Sequence, residues 1–404
     1  MIVHNHRPVN GEFPPHLLDN GVTPTERHFV RNNGLVPERA TQQDPQGWSL
    51  TIDGEVHNSL QLGLDELMQM PATTLQACIE CGGNGRANFD PPVRGNPWDR
   101  GAIGCSEWTG VKLRDLLERA GLKDTAVYTA HYGADPQLGT APPFSRGIPI
   151  DKAMASTLLA YEMNGEPLPL KHGYPLRALA LGWTGANCVK WLKRITVLDK
   201  PYEGFFMDKV YRVFQKGQDP ASGEIVTGIK LKSIITQPLP GEQRQAGRVV
   251  VLGAAYGGEE RVEKVEVSPD NGVTWHAAEF LGPDEPFAWR HWQFVWQATR
   301  TGSHTLLSRA TDSRGRRQPD PAGADRALAL SVEGAASSFG HALAAAFRAR
   351  GFAVASSAAF ALRGLAFAAA FGLAALPAPQ ARQQRLRSST SLKRKERYRT
   401  LSSE

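Results

Sequence analysis

The sequence predicts an α+β fold in which a mixed α/β domain with many loops is followed by an immunoglobulin-like β-sandwich. Two observations lead to this fold class. Before about Phe214, strand-like stretches such as Thr74–Ile79 stand among helical stretches such as Lys112–Gly121, which ends on glycine. After about Gly228, short alternating strands recur between turns, a spacing typical of sandwiches. At 404 residues, 41% of them apolar, the chain is long enough for two or three domains.

The composition divides the chain into four regions. Residues 1–40 are rich in Pro, Asn and His, and we expect an irregular arm that wraps a domain surface. Residues 41–225 form the α/β domain and residues 226–332 the sandwich. Residues 333–404 are alanine-rich and then basic, which indicates a poorly ordered or aberrant tail.

Several individual elements follow from periodicity and turn residues. Besides those named above, the predicted strands are Ser49–Val56, Ala126–Thr129, Val189–Val197, Arg261–Val267, Val273–Trp275, Phe287–Phe294 and His304–Ala310.

The net charge of +6 does not indicate a nucleic-acid-binding protein, because of where the charge lies. Residues 377–404 hold eight Lys or Arg against two Glu, a surplus of six that equals the whole excess. Residues 1–376 are therefore neutral overall and offer no broad basic surface to a phosphate backbone.

Four cysteines are too few for a disulfide framework in a chain of this size. Cys78 and Cys81 have the spacing of a zinc half-site, but the second pair of ligands is missing. The N-terminus shows no secretory signal, so we expect a cytoplasmic protein, or a periplasmic one if the N-terminus is truncated. The apolar run Gly364–Leu376 is too short for a membrane span.

Cys81 begins the run Cys81–Arg86, which directly follows a strand-like stretch and contains three glycines. A thiol beside backbone too small to obstruct it, with Arg86 and Arg94 downstream, indicates a soft metal ligand inside an anion pocket. The alternative is that Cys81 is a small buried residue, as free cysteines usually are. Glycine, asparagine and arginine are poor core residues, which favours the ligand.

The chain resembles the molybdenum-pterin sulfite oxidases of bacterial type over about residues 25–315. This resemblance implies a sulfite-oxidase-type molybdopterin domain before the sandwich. Five motifs carry it in the same order, and the third has three parts. They are His28–Pro37; Cys81–Trp98; Leu159–Gly165, His172–Arg177 and Val189–Leu192; Phe205–Arg212; and Ser268–Trp275.

The resemblance implies that Cys81 is the protein ligand of molybdenum. Arg31, Arg86 and Arg94 match the positions that hold the substrate anion, with Trp98 as a wall of the pocket. Guanidinium groups suit an oxyanion because they remain charged and can donate two parallel hydrogen bonds. Any of these arginines alone would more often be a solvated surface charge.

Tyr211 matches the family's active-site tyrosine, whose hydroxyl lies near the metal centre; alone, it would be a half-buried aromatic on a strand. The family's contacts to molybdopterin match Arg31, Asn32, Asn33, His172, Arg177, Cys188, Val189 and Lys190. Of these, His172 and Arg177 suit a phosphate group. Alone, a histidine before Gly-Tyr-Pro would usually be a turn residue.

The implied reaction is the oxidation of sulfite to sulfate, with electrons leaving to cytochrome c or dioxygen because no haem motif occurs in the sequence. The sandwich implies a homodimer. Related alternatives are a sulfane dehydrogenase or a sulfoxide reductase on the same scaffold. An alternative of another class is a binding protein without catalytic activity, whose basic tail attracts an anionic partner.

Three departures from the family pattern bear on the site. Animal and plant relatives commonly have His where this chain has Asn33, and Asp where it has Val210. The family also closes its sandwich with a segment after the position of Gln318 and Pro319, and no counterpart is recognisable in the sequence after Asp320. We therefore expect the sandwich to lack an edge strand.

Overall fold

The computed structural model describes residues 1–41, 47–213, 218–219 and 222–319, and the backbone of residues 328–333. The predicted tail, apart from its first residue, lies outside the described residues. Strands predominate and the helices are short, so the α+β prediction overstates the helical content.

The strands of the N-terminal part are β1 Ile2–His6, β2 Val9–Glu12, β3 Val30–Arg31, β4 Ser49–Gly54, β5 Leu60–Gly63, β6 Thr73–Glu80, β7 Ile103–Lys112, β8 Tyr128–Gly133, β9 Ser145–Pro149, β10 Thr157–Met163, β11 Glu166–Pro167, β12 Arg177–Ala180, β13 Leu192–Leu198, β14 Arg212–Val213 and β15 Glu224–Ile225. Those of the C-terminal part are β16 Lys232–Gln237, β17 Gln243–Gln245, β18 Gly247–Tyr256, β19 Val262–Ser268, β20 His276–Ala277, β21 Glu279–Leu281, β22 Arg290–Ala298, β23 Gly302–Asp312 and β24 Leu328–Glu333.

The helices are α1 Glu38–Thr41, α2 Leu64–Gln69, α3 Leu113–Ala120 and α4 Ile150–Ser156, with single 3-10 turns at Pro15–Leu17, Thr25–Arg27, Arg86–Asn88, Leu170–His172 and Gly185–Asn187 and a π-helical turn at Phe206–Val210. No helix in the described ranges is long and apolar enough to cross a membrane.

Helix α3 shows how the sequence specifies these elements. Its buried residues recur at helical spacing, so one face of the helix packs on the core: they are Leu113, Leu116, Leu117 and Ala120. The helix ends where Gly121 adopts a φ of +70°, a conformation that favours glycine. The prediction of this helix is confirmed, with its start moved to Leu113 because Lys112 is the last residue of β7.

Two five-stranded sheets form the body of the N-terminal part. One has the order β5-β4-β13-β8-β9, in which β13 runs parallel to β4 and antiparallel to β8. The other has the order β11-β10-β7-β6, with β12 also paired to β10. Its strand β6 ends immediately before Cys81, so a rigid element positions this residue.

The first forty residues are more regular than the sequence indicated. Strands β1, β2 and β3 form a three-stranded sheet, so the prediction of an irregular arm is wrong there. Proline and asparagine are typical of turns, so the composition of this segment predicted loops and gave no sign of the short strands. The buried carboxylate of Glu12 accepts the N–H groups of Asp99 (2.8 Å) and Gly101 (2.9 Å), which ties this sheet to the loop after Cys81.

The C-terminal part consists of two sheets with the orders β16-β18-β22-β21 and β17-β24-β23-β19-β20. Residues from both sheets form one core, among them Val251, Val265, Trp292 and Leu306. The predicted strand Val273–Trp275 is wrong, because the turn around Asn271 and Gly272 extends further and the strand begins at His276.

The expected lack of a closing strand is also wrong. Strand β24 pairs antiparallel with β23 and parallel with β17. The segment carries no recognisable family motif, yet Leu328–Glu333 has Leu, Leu and Val at every second position, a period that suits a strand.

A further core lies between the two parts and contains Cys78, Cys105, Ile234 and Trp289. Cys81, by contrast, belongs to the core of the N-terminal part. The two cysteines of the apparent zinc half-site therefore lie in different cores.

We expect His131 to make the stability of the fold depend on pH. The side chain is fully buried, and burial lowers its pKa from 6.5 to about 3. Between these values the unfolded chain binds a proton that the folded chain does not, so the free energy of unfolding falls as the pH drops, by up to about 1.4 kcal/mol per pH unit. Urea unfolding at several pH values in this range should show that the free energy of unfolding changes less steeply with pH in His131→Asn than in the wild type. The exposed His57→Gln is the control, and an equal change of slope in both variants would contradict the assignment.

Strand β24 gives a test by truncation. A chain that ends at Pro319 lacks a strand that lies between two others, and we expect a markedly lower thermal midpoint of the C-terminal part. The matched chain ends at Gly334 and keeps β24. Equal midpoints for the two truncated chains, measured by calorimetry, would show that β24 contributes nothing to the sheet.

Candidate active site

One cavity of about 640 Å³, including its mouth, collects most of the residues singled out in the sequence. Its lining comes from the segment after β3, the end of β6, the 3-10 turns at Leu170–His172 and Gly185–Asn187, and the residue after the π-helical turn. The predicted residues that line it are Arg31, Asn32, Asn33, Cys81, His172, Arg177, Cys188, Lys190 and Tyr211.

Cys81 presents its sulfur at the end of β6. The residue is 8% exposed, its N–H donates to the carbonyl of Ala102 (2.9 Å), and the N–H of Gly83 donates to Sγ (3.5 Å). Burial raises the pKa of the Cys81 thiol, whereas the cations of Arg31 and Arg86 act in the opposite direction. The sulfur is therefore held in place beside positive charge, as a ligand thiolate requires.

Asn33 joins Arg31 to Tyr211. Nη2 of Arg31 donates to Oδ1 of Asn33 (2.6 Å), and the Asn33 side-chain amide lies 3.0 Å (Nδ2) and 3.1 Å (Oδ1) from the Tyr211 hydroxyl. Nη1 of Arg31 donates to the carbonyl of Asn32, which orients the guanidinium. A cation, an amide and a phenol thus form one hydrogen-bonded chain along the wall of the cavity.

The basic end of the cavity is the part of its lining around Arg177 and Lys190. Arg177 is almost completely buried, and Nζ of Lys190 donates to Oδ1 of Asn32 (2.6 Å) and the carbonyl of Lys171 (2.7 Å). Burial lowers the pKa of Arg177 to about 10, and burial together with Arg177 and Arg31 lowers the pKa of Lys190 well below its ordinary value. Among the described residues no carboxylate lies within ion-pair distance of either cation.

Several buried polar atoms of the cavity lining have no hydrogen-bond partner in the structure: Nε2 of His28, Nε2 of His172, Nε of Arg177 and Oδ1 of Asp135. Unsatisfied groups of this kind are rare in a completed core and common where a ligand binds. Burial lowers the pKa values of both histidines, so they remain neutral at the pH of the cell and can donate or accept. The arrangement fits a polar, anionic group bound in the cavity.

Asp135 is a lining residue that the sequence did not reveal. Its Oδ2 accepts the N–H of Phe144 (2.9 Å), and burial raises the pKa of the carboxyl. A Cβ at Gly34 or Gly133 would come within 2.6 Å or 2.5 Å of this carboxylate, so both glycines are required for its position. A single sequence does not indicate that Asp135 packs against a glycine such as Gly34, which lies far from it in the chain.

The structure does not bring every predicted residue to the cavity. Arg94 is exposed on the loop after Cys81. Arg86 is not part of the lining: its guanidinium lies between Gly83 and Gly95 and donates to the carbonyl of Asn96 (3.0 Å). Trp98 is fully buried behind the wall, where its ring packs against Phe29, because an indole of this size needs apolar surroundings. Val189 lies in the core, and its carbonyl accepts the N–H of Ala178 (2.9 Å).

The chain is similar to known proteins over most of its length. Residues 35–206 match the profile of the oxidoreductase molybdopterin binding domain, and residues 224–335 that of the Mo-co oxidoreductase dimerisation domain. The chain is 34% identical over 338 residues to sulfite oxidase of Gallus gallus, which covers 79% of this chain and 72% of that protein. This chain belongs to the sulfite oxidase family. Its cofactor is molybdenum bound to molybdopterin.

Two further relatives of this sulfite oxidase family member help to place it. Mitochondrial sulfite oxidase of Rattus norvegicus is 34% identical over 339 residues, which cover 79% of this chain. The chain spans about three fifths, 61%, of the length of that relative. The crystal structure of the sulfane dehydrogenase SoxCD from Paracoccus pantotrophus aligns with a TM-score of 0.68 at 29% identity and covers 79% of this chain and 81% of that chain.

We predict that Lys190→Met weakens retention of the cofactor. The substitution removes a cation from the basic end of the cavity together with its bond to Asn32, and loss of one charge-assisted hydrogen bond corresponds to roughly 10- to 100-fold weaker binding. Molybdenum and pterin per chain, measured after extended dialysis, should fall. Lys193→Met is the matched control, since Lys193 is exposed and outside this cavity. Full cofactor content in the Lys190 variant would refute the prediction.

Proposed function

We propose that this chain oxidises sulfite to sulfate and passes the electrons to an external acceptor, either cytochrome c or dioxygen. The observation that carries this proposal is that Cys81, Arg31 and Tyr211 line one cavity and that Asn33 joins the last two. A compact oxyanion suits the guanidinium of Arg31, which can donate two parallel hydrogen bonds. Membership of the sulfite oxidase family supports the same substrate.

When bound, the molybdenum and its pterin supply the oxygen-atom transfer and accept two electrons. Cys81 would be the protein ligand, because a soft thiolate suits a metal that changes its oxidation state. Arg31 would bind the oxyanion, and Arg86 would add positive charge from outside the lining, where it already favours the thiolate of Cys81. The hydroxyl of Tyr211, held by Asn33, would donate a hydrogen bond to the reacting group.

The basic end of the cavity would hold the pterin and its phosphate. His172, Arg177 and Lys190 supply donors there, and the unpaired Oδ1 of Asp135 would accept an N–H group of the cofactor. Asn32 orients Lys190, and Cys188 closes the wall beside it. Sulfite would then bind near Arg31.

The C-terminal part would serve as a dimerisation domain of immunoglobulin-like type. The matched family profile of residues 224–335 supports a homodimer, and the two facing sheets with a shared core support the sandwich. Sedimentation of the purified protein at several concentrations would establish the oligomeric state.

A second candidate function is sulfane dehydrogenation. The structural likeness to SoxCD, with a TM-score of 0.68, favours it. The two activities differ in the sulfur compound that fits beside Arg31. Product analysis with sulfite, a thiosulfate-derived sulfane and a sulfoxide separates them, and also separates the sulfoxide reductase alternative.

We predict that Cys81→Ser abolishes sulfite-dependent reduction of ferricyanide. Serine is nearly isosteric but offers a hard oxygen in place of a soft sulfur, so the metal loses its protein ligand. Activity, molybdenum content and pterin content should be measured on the same preparation. Cys105→Ser is the control, because Cys105 is also buried but lies in the core between the two parts. Undiminished turnover with full molybdenum loading would refute the role of Cys81.

A further inference from the structure

Arg146 on strand β9 is a completely buried arginine outside the cavity lining. Four hydrogen bonds leave its guanidinium: Nε and Nη2 donate to Oδ1 of Asn187 (3.2 and 2.8 Å), Nη1 to the carbonyl of Phe206 (2.7 Å) and Nη2 to the carbonyl of Val226 (3.0 Å). Four of the five N–H groups of an arginine are therefore used. The side chain is held in one orientation.

Two of the three acceptors belong to residues that bind the backbone of Tyr211. The carbonyl of Phe206 also accepts the N–H of Tyr211 (3.2 Å), and the N–H of Val226 donates to the carbonyl of Tyr211 (3.0 Å). Asn187 ends the turn whose residues Gly185 and Ala186 line the cavity. One guanidinium thus connects the backbone on both sides of Tyr211 with a wall of the cavity.

The charge of Arg146 is directed at the same residue. Its Cζ lies 5.4 Å from the centroid of the Tyr211 ring, within the range of a cation–π interaction. In the part of the chain that the structure describes, no carboxylate forms an ion pair with Arg146. Burial lowers the pKa of Arg146 to about 10, so the group still carries its charge at neutral pH. A buried cation without an anion is costly, and here carbonyls, an amide and a ring surround it.

We propose that Arg146 is the positioning residue that keeps the hydroxyl of Tyr211 within hydrogen-bond distance of Asn33, which is itself bonded to Arg31. This inference rests on the proposed function, since it concerns the tyrosine that faces the reacting group. The ring of Tyr211 is fixed through its backbone by Phe206 and Val226 and through its face by the guanidinium. Loss of Arg146 displaces the hydroxyl while the anion-binding arginine remains in place.

The kinetic test uses the holoenzyme with a measured molybdenum content. For Arg146→Gln we expect kcat with sulfite to fall about 10-fold or more while KM changes less than about twofold, because displacement of a reacting group acts on turnover. Arg146→Lys keeps the charge and should lose less. In a Tyr211→Phe background the Arg146 substitution should have little further effect, since the two residues act as one unit.

The matched control is Arg290→Gln. Arg290 also lies over an aromatic ring, with its Cζ 3.6 Å from the centroid of Phe280, but it belongs to the C-terminal sandwich. This variant should leave kcat unchanged. An unchanged kcat in Arg146→Gln, or an equal loss with and without the Tyr211 hydroxyl, would overturn the proposal.

A second measurement does not depend on the substrate. Amide hydrogen exchange of the peptide that spans residues 204–213 should rise in Arg146→Gln and Arg146→Lys, while exchange in strands β18 and β22 stays unchanged. Unchanged exchange at residues 204–213 overturns the inference even if the protein oxidises sulfite. Increased exchange at residues 204–213 in a protein that does not oxidise sulfite supports the positioning role of Arg146 and refutes the proposed function.

Asn187→Ser covers the case in which the Arg146 variants do not fold. It removes the shared acceptor of Nε and Nη2 and leaves the arginine in place. Its kcat should fall in the same direction by a smaller factor, with increased exchange at residues 204–213. Wild-type values for both quantities would overturn the proposal.

Discussion

The constraint on which the site depends is buried positive charge that forms no ion pair with a carboxylate of the described residues. Arg177 and Lys190 line the cavity with no carboxylate at ion-pair distance among the described residues. Arg31 is close enough to lower the pKa of Lys190. Removal of a cation from water costs several kcal/mol unless an anion or a set of hydrogen bonds replaces the water. Backbone carbonyls and asparagine oxygens replace part of it, and a bound anionic cofactor would replace the rest. The unpaired nitrogens of His172 and Arg177 mark where it would bind.

The same constraint explains why the histidines of the cavity are neutral. Burial lowers the pKa of His28 to about 3, and it lowers that of His172, where His28 and the nearby cations act in the same direction. A further positive charge in this space would add to the repulsion among Arg31, Arg177 and Lys190. Neutral imidazoles supply hydrogen bonds without that cost.

The loop after Cys81 is held from two sides. Glu12 binds it from the N-terminal sheet. From the other side, the buried carboxylate of Glu80 accepts hydrogen bonds from Lys232 (2.7 Å) and Tyr256 (2.9 Å) of the C-terminal part and from Asn84 (3.0 Å) of the loop. The position of Cys81 therefore depends on both parts of the chain, and a satisfied buried carboxylate makes the junction rigid.

The sequence alone predicted which residues could form the site, since Cys81 among glycines indicates a soft metal ligand and the motifs around Arg31, His172 and Tyr211 resemble those of the sulfite oxidase family. It could not place Asp135 or Arg146, because an isolated acid and an isolated arginine are most often solvated, and only packing removes the water from them. It also could not show that Arg94 stays outside the cavity, that short strands order the N-terminal arm, or that β24 completes a sheet. These outcomes depend on contacts between residues far apart in the chain, such as Asn33 with Tyr211. Such contacts stabilise the protein only after the strands have brought the two residues together.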